Sequence, residues 1–206
     1  MLAVIGETSA VERVGVLRVE FDCVAKVGDR ALNVALGSVS VAAVEEYQRI
    51  FQLALDASNA NDFNGRGVIY LDKKQYARAI EDFDQAIRLD PEQALALSNR
   101  CWSKVLAGAQ MLQALADCNE ALRLKPLNAG TIANRAFVYL RLGEINRALA
   151  EYNAALEIDP KNAHALYGRS LTQRQSGDTA AAEADAAAAK LIQSNVEAEF
   201  ANSGIN

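Results

Sequence analysis

All three prolines of this chain stand in one local context, in which an aliphatic residue and then a charged residue precede the proline. They are 35 and 34 residues apart, at Pro91, Pro126 and Pro160. Arginines and alanines recur with nearly the same spacing, at Arg66, Arg100, Arg135 and Arg169 and at Ala79, Ala114, Ala148 and Ala182. A period of this length predicts an array of structural repeats, each of which contacts mainly its neighbours.

Each repeat unit carries the apolar pattern of helices. In the second half of the first unit, apolar side chains recur three and four residues apart, at Tyr76, Ala79, Ile80, Phe83, Ala86 and Ile87. This spacing places them on one helix face, and the proline that follows cannot continue the helix. One helix pair cannot bury such a face alone, so neighbouring pairs must stack. We therefore predict an all-α fold, a solenoid of about four helix hairpins.

Small and aromatic residues occupy fixed places in the units. The first unit has Phe63, Arg66, Gly67, Tyr70, Ala79, Phe83, Ala86 and Pro91, and the third has Arg135, Ala136, Tyr139, Gly143, Ala148, Tyr152, Ala155 and Pro160. In the second unit, Cys101 replaces the small residue of the first helix and Cys118 replaces the aromatic residue of the second. The fourth unit has Ala186 at the aromatic place and no final proline.

This pattern resembles the tetratricopeptide repeat (TPR) over about residues 60 to 196. The segments DCNEALRLKP and EFANSG also resemble small bacterial TPR proteins of unassigned role. The resemblance implies a right-handed superhelix with repeats at residues 60–93, 94–128, 129–162 and 163–196. A capping tail follows at residues 197–206, and we expect a short closing helix from Asn195 to Phe200.

The first 59 residues are harder to interpret. The segment from Val14 to Val27 is rich in valine and alternates loosely, which favours a strand pair, although a hairpin without a sheet partner is marginally stable. The segment from Val41 to Ala57 has one apolar stripe and predicts a helix, which is either a decayed repeat or an N-terminal cap. We divide the region into an N-terminal segment of uncertain order at residues 1–40 and a helix at residues 41–59.

The resemblance also implies a concave groove, lined by the first helix of each repeat, that holds a protein or peptide partner. The implied groove residues are Asn64, Val68, Asn99, Trp102, Asn134, Phe137, Tyr167, Leu171 and Arg174. Asn99 and Asn134 occupy equivalent positions, and an asparagine side chain both donates to and accepts from a peptide backbone. The alternative is that these asparagines cap or bridge turns. Trp102, the only tryptophan, is either a binding anchor or packed on the neighbouring first helix.

Some TPR domains bind the acidic tails of heat-shock chaperones through a carboxylate clamp of Lys or Arg and Asn residues. The matching positions here hold Asn64, Val68, Asn99, Gly130 and Asn134, so the clamp is absent, because only Asn99 is shared and the basic residues are missing. We therefore predict no chaperone-tail binding. A partner with an extended, partly apolar segment suits this groove better.

Two further sets of residues predict contacts within the array. The recurring arginines are matched by an acidic series one helix later, at Asp82, Asp117, Glu151 and Asp185, which favours structural ion pairs over ligand binding. Cys101 and Cys118 lie on facing helices, and a disulfide between them would contribute roughly 3 kcal/mol on the chain-entropy model. In a reducing cytosol the same pair would remain buried thiols.

The composition argues against several function classes. A net charge of −5 argues against nucleic-acid binding, and no apolar run reaches the roughly 18 to 20 residues that membrane insertion requires. Three cysteines and one histidine, His164, lack the spacing of a metal site, and no phosphate loop or nucleophile motif is present, so we predict no cofactor, no metal and no catalysis. The N-terminus has no basic stretch typical of a signal peptide. We expect a cytoplasmic protein by default, or a periplasmic or secreted one if the disulfide forms.

These features predict a non-catalytic scaffold or adaptor that binds an extended peptide or a partner helix in its groove. The alternative is a structural subunit of a homo- or hetero-oligomeric assembly. The mass of the free protein in solution separates the two, because an adaptor is expected to be monomeric when it is free.

Overall fold

The structure, a computed structural model, describes residues 59–108 and 110–201, which fall within one compact unit. The segments predicted before this region, at residues 1–40 and the helix at 41–59, lie outside the described residues apart from Asn59. The same holds for the strand pair predicted from Val14 to Val27.

Helices form almost all of the described part of the chain, and no strand occurs in it. The described residues contain nine helices: α1 (Ala60–Asp72), α2 (Tyr76–Leu89), α3 (Ala94–Leu106), α4 (Met111–Leu124), α5 (Ala129–Arg141), α6 (Ile145–Ile158), α7 (Ala163–Ser176), α8 (Thr179–Ile192) and α9 (Val196–Phe200). The first eight pack as four consecutive hairpins, and α9 follows the last of them. The predicted right-handed α-solenoid is thereby confirmed.

Turns and caps explain where the helices begin and end. The turn inside each hairpin contains a residue with positive φ, which is glycine in three hairpins and Lys74 in the first. Glycine adopts this backbone conformation without a steric penalty. The side chains of Asn59, Asn128 and Asn162 cap the first helices of hairpins one, three and four, each by accepting a hydrogen bond from a backbone N–H three residues later.

The core of the first hairpin is built around a small residue that faces a large one. A Cβ atom added to Gly67 would lie 2.6 Å from the ring of Phe83, so the two helices approach too closely for any side chain there. In the second hairpin Cys101 and Cys118 take these two places, and their sulfur atoms are bonded at 2.08 Å. Both cysteines are fully buried. A covalent bond thus replaces the small–aromatic contact of the first hairpin.

The four recurring arginines join helices and neighbouring hairpins. Each pairs with an acidic residue of the second helix of its own hairpin: Arg66 with Asp82, Arg100 with Asp117, Arg135 with Glu151 and Arg169 with Asp185. Three of them also donate from Nη1 to the preceding hairpin, with distances of 2.6 Å from Arg100 to Asp84, 3.0 Å from Arg135 to Asn119 and 2.8 Å from Arg169 to Asn153. The predicted structural pairing is confirmed.

The hairpins stack so that their first helices form one inner layer. Successive first helices α1, α3, α5 and α7 pack on one another, and each second helix packs on the first helix of the next hairpin. In the described array no comparable packing joins one second helix to the next. Because the first helices lie closer together than the second helices, they line the concave side. We call this layer the concave surface.

Candidate functional site

The residues predicted for the groove all lie on the first helices α1, α3, α5 and α7, but they differ in exposure. Asn64, Val68, Asn99, Trp102 and Asn134 are half-buried, and Arg174 is exposed. Phe137, Tyr167 and Leu171 are buried, with 1%, 6% and 8% of their surface exposed. The concave surface is therefore more open along α1 and α3 than near α5 and α7.

The asparagines of the concave surface bridge neighbouring first helices. The side-chain amide of Asn99 donates to Oδ1 of Asn64 at 3.1 Å, which joins α3 to α1. Asn134 Nδ2 donates to the hydroxyl of Ser98 at 3.4 Å, and the Thr131 hydroxyl donates to the same oxygen at 2.8 Å. These polar groups thus bond to one another between first helices of neighbouring repeats, which differs from the capping or bridging of turns that the sequence left as the alternative. Contact between these amides and a partner backbone stays a prediction.

An aromatic cluster fills the other half of the concave surface, and its centre is Phe200 of α9. The ring of Phe200 lies 5.5 Å from Trp102 on α3, 5.2 Å from Phe137 on α5, and 5.5 Å and 5.2 Å from His164 and Tyr167 on α7. We call the four surrounding rings the Phe200 pocket. Tilted and edge-to-face arrangements at these distances are favourable beyond the area that they bury. Phe200 itself is 3% exposed.

Polar contacts fix α9 beside this pocket. The Glu199 carboxylate lies 2.6 Å from Nε2 of His164 and accepts hydrogen bonds from Gln193 and Asn195. Two residues earlier, Glu197 pairs with Lys190 of α8 at 2.5 Å. The hydrogen bond from Lys190 lowers the pKa of Glu197, whereas burial and the nearby carboxylate of Glu197 raise the pKa of Tyr167.

The position of α9 differs from that of a helix that only closes the end of a solenoid. In a repeat array each unit contacts its neighbours, so a closing helix is expected to touch the last hairpin alone. The backbone of α9 does pack on α7 and α8, the helices of the fourth hairpin. Phe200, however, also reaches Trp102 in the second hairpin and Phe137 in the third. The chain therefore turns back after α8 and places α9 on the concave surface.

The sequence indicated only part of this arrangement. Trp102, Phe137 and Tyr167 were predicted to face the groove, but their common contact with Phe200 was not. His164 was considered only in relation to a metal or a catalytic site, although it is the second residue of its predicted repeat and lies one helical turn before Tyr167. The signal for α9 was the expected closing helix, whose two apolar ends, Val196 and Phe200, both become buried.

Neither a metal centre nor a membrane span emerges from the described residues. They contain no group of three or more His, Cys, Asp or Glu side chains that could hold a metal ion. None of their helices combines the length and the apolar character that crossing a bilayer requires. The concave surface presents aromatic rings, side-chain amides and an imidazole–carboxylate contact.

Two family models match the array that the structure contains. The model of the tetratricopeptide repeat matches residues 60–93, which include α1 and α2, and a model of the TPR repeat matches residues 138–177. The chain contains tetratricopeptide repeats. No curated protein matches this TPR protein in sequence.

Solved structures of other TPR proteins share the fold at low sequence identity. TTC0263, a thermophilic TPR protein in Thermus thermophilus, has a TM-score of 0.62 and 18% identity over 73% of this chain and 84% of its own. MamA has a TM-score of 0.55 and 20% identity over 76% of this chain and 90% of its own. The first TPR of Spaghetti (RPAP3), bound to the HSP90 peptide SRMEEVD, has a TM-score of 0.53 and 21% identity over 59% of this chain and 96% of its own. Identities this low establish a common fold alone.

Proposed function

We propose that this TPR protein is a non-catalytic adaptor whose concave surface binds an extended peptide or a helix of a partner protein. The observation that supports the proposal is the position of α9 on the concave surface. The concave surface already holds a short helical segment, through one aromatic side chain in a pocket of four rings and one carboxylate on His164. Such a combination of an apolar anchor with a few polar contacts is common in peptide-recognition grooves.

Chaperone tails are not the partner that we propose. The first TPR of RPAP3 is bound to the acidic peptide SRMEEVD, which shows that this fold can hold an acidic tail in that protein. The matching positions here hold Asn64, Val68, Asn99, Gly130 and Asn134, none of which is basic, and Asn64 and Asn99 bond to each other. The half of the concave surface near α1 therefore offers amides and an apolar side chain, which suit a partly apolar segment.

The test of this function is partner capture with matched variants. The wild-type protein, a Trp102→Ala/Asn134→Ala double variant and a Leu112→Ala control are immobilised after their helicity and melting temperature have been compared. Leu112 lies on the second helix of its hairpin and is 73% exposed. We expect a partner that wild type and the Leu112 variant retain and the double variant loses. Retention by all three proteins would place the interaction outside the concave surface and contradict the proposal.

Assembly into an oligomer is the second candidate function. It is favoured by three leucines that are almost bare in the free chain, Leu112, Leu127 and Leu191, with 73%, 80% and 89% of their surface exposed. Exposed large apolar side chains are typical of surfaces that a second protein covers where they form a contiguous patch, whereas single exposed apolar side chains are common on monomers. Light scattering after size exclusion measures the mass at several concentrations. A stable multiple of 22.2 kDa would support assembly, whereas a constant monomer would exclude self-assembly.

We also propose that the protein functions in an oxidising compartment, such as the periplasm or the exterior of the cell. The support is the bond between Cys101 and Cys118, because structural disulfides persist where the thiol-reducing systems of the cytosol are absent. Rapid acid quenching of cells that produce the protein, followed by alkylation of free thiols and mass spectrometry, measures the state of the pair. An unmodified Cys101–Cys118 pair is expected. Two alkylated thiols would contradict this location.

A further inference from the structure

Helix α9 depends on the concave surface for its structure. It has only five residues, and helices of this length are not stable in water on their own. Its two buried side chains, Val196 and Phe200, lie at opposite ends of the segment, whereas Glu197 and Ala198 between them are exposed. The helix is therefore formed on the surface that it covers, as a bound peptide helix would be.

The contacts of α9 define the chemistry that this surface recognises. The aromatic ring of Phe200 enters the Phe200 pocket, and the carboxylate of the preceding residue, Glu199, meets the imidazole of His164. The same imidazole ring lies 5.8 Å from Trp102, so the polar contact and the apolar pocket share one wall. A ligand that satisfies both must present a carboxylate and an aromatic ring on adjacent residues.

We propose that the Phe200 pocket is a binding site for a helical segment of a partner protein that carries an acidic residue directly followed by an aromatic residue. Helix α9 is the intramolecular occupant of that site and leaves it when the partner binds. This inference rests on the proposed function, because it names the partner chemistry of the same concave surface.

The covalent connection of α9 allows this exchange. A linker of three residues, Gln193 to Asn195, joins α9 to α8, so the segment can leave the pocket without disrupting the fourth hairpin. The tether gives α9 a high effective concentration at the pocket, which a partner must overcome with additional contacts. The contacts of Phe200 extend as far as Trp102 in the second hairpin. Helix α1, with Asn64 and Val68, belongs to the first hairpin and lies beyond them. A longer partner helix can extend to these half-buried residues.

The first experiment uses Trp102 as a reporter of the pocket. It is the only tryptophan of the chain, and its ring contacts Phe200. In the full-length Phe200→Ala variant we expect red-shifted tryptophan emission and stronger acrylamide quenching than in wild type. The control is Leu191→Ala, which changes an exposed side chain shortly before α9 and is expected to leave the emission unchanged. Unchanged emission in the Phe200 variant would contradict the seating of α9 that the proposal requires.

The second experiment supplies the ligand in trans. A fluorescently labelled peptide of residues 193–201 (QSNVEAEFA) is titrated with the full-length Phe200→Ala protein and with wild type, and binding is followed by anisotropy. We expect saturable binding to the variant and at least roughly tenfold weaker binding to wild type, because α9 occupies the pocket in most wild-type molecules. Peptides with Phe200→Ala or with Glu199→Gln are expected to bind more weakly than the parent peptide.

The outcomes separate the two proposals. If the parent peptide and its Phe200→Ala form bind equally to a variant protein that remains folded by circular dichroism, or if neither binds, the inference about the pocket is overturned. A partner that is still captured in a Trp102- and Asn134-dependent manner would then leave the proposed adaptor function intact. If the peptide binds as expected but partner capture does not depend on Trp102 and Asn134, the inference about the Phe200 pocket is supported and the proposed adaptor function is contradicted.

Discussion

At the scale of single residues, the array is held by charges that are buried and compensated. One buried example is Asp117, which accepts hydrogen bonds from Arg100 and from Lys104, the latter at 2.8 Å. Arg100 bonds Asp84 as well, so two cations and two carboxylates balance across two hairpins. Burial opposes the charged form of Arg100, but the hydrogen bonds that Arg100 donates to Asp117 and Asp84, together with the negative charges of these carboxylates, outweigh it and raise the pKa of the guanidinium.

Replacing Asp117 with asparagine is expected to destabilise the protein by about 3 kcal/mol. The substitution leaves Lys104, whose side chain is 8% exposed, without a charged partner in a confined site. Urea unfolding followed by circular dichroism measures the change. The matched control is Glu120→Gln on the same helix, where the partner Arg123 is exposed, and its unfolding curve is expected to superimpose on that of wild type. Similar effects of the two substitutions would contradict the importance of burial.

Close helix packing gives a second prediction at the same scale. A Cβ added to Gly168 would lie 2.3 Å from the hydroxyl oxygen of Tyr152, a fully enclosed side chain. Gly168→Ala is therefore expected to destabilise the protein by roughly 1 to 3 kcal/mol, because α7 must move away from α6. Gly65→Ala on α1 meets no atom within 4 Å and is expected to stabilise by up to about 1 kcal/mol through helix propensity. A lower melting temperature for Gly168→Ala and a higher one for Gly65→Ala would support this expectation. A shift in the same direction for both variants would refute it.

At the scale of elements, each hairpin needs a contact that fixes its two helices at close range. The first hairpin uses the Gly67 and Phe83 pair, and the third places Ala136 and Tyr152 at the equivalent positions. The second hairpin has a disulfide there instead. Because a disulfide acts mainly by restricting the unfolded chain, the stability of α3 and α4 depends on redox conditions in a way that the other hairpins do not.

Reduction is expected to lower the stability of the wild-type protein by roughly 3 kcal/mol. A Cys101→Gly/Cys118→Phe variant, which transfers the residues of the first hairpin to the second, is expected to fold and to have the same melting temperature with and without dithiothreitol. Calorimetry of both proteins under oxidising and reducing conditions measures the difference. A wild-type melting temperature that does not change once mass spectrometry confirms reduction would show that the bond adds nothing to stability.

At the scale of the whole array, stability is expected to vary along the chain. In a solenoid it is approximately a sum of terms for each repeat and for each interface between neighbours. Helix α9 adds contacts that depart from this rule, since Phe200 joins the second, third and fourth hairpins. Removing its ring should therefore affect several hairpins at once, but not the first.

Hydrogen exchange measured by mass spectrometry tests this distribution. In the Phe200→Ala variant we expect faster amide exchange in α5, α7 and α8 than in wild type, and unchanged exchange in α2, because local opening follows local contact density. The Leu191→Ala protein serves as the control and is expected to match wild type. Equal acceleration in α2 and α7 would mean that the array opens as one cooperative unit, contrary to the expectation.

The sequence alone was sufficient for the repeat architecture. The recurrence of proline, arginine and alanine reflects contacts that every unit makes, such as the pairing of Arg66 with Asp82 and of Arg169 with Asp185. Such contacts form within a hairpin or between neighbouring hairpins, so the residues that make them recur in the sequence with the period of the repeat. The resemblance to the TPR family, rather than the period itself, implied that Trp102, Phe137 and Tyr167 face the concave surface.

The contents of that surface were decided only by tertiary structure. The position of Phe200 depends on the turn between α8 and α9 and on side chains from three different hairpins. This arrangement occurs once in the described array, so the sequence contains no periodic signal for it. His164 and Glu199 likewise meet at 2.6 Å although 35 residues separate them. The periodic pattern therefore determined the scaffold of this TPR protein, whereas the three-dimensional path of its last helix decided what occupies the concave surface.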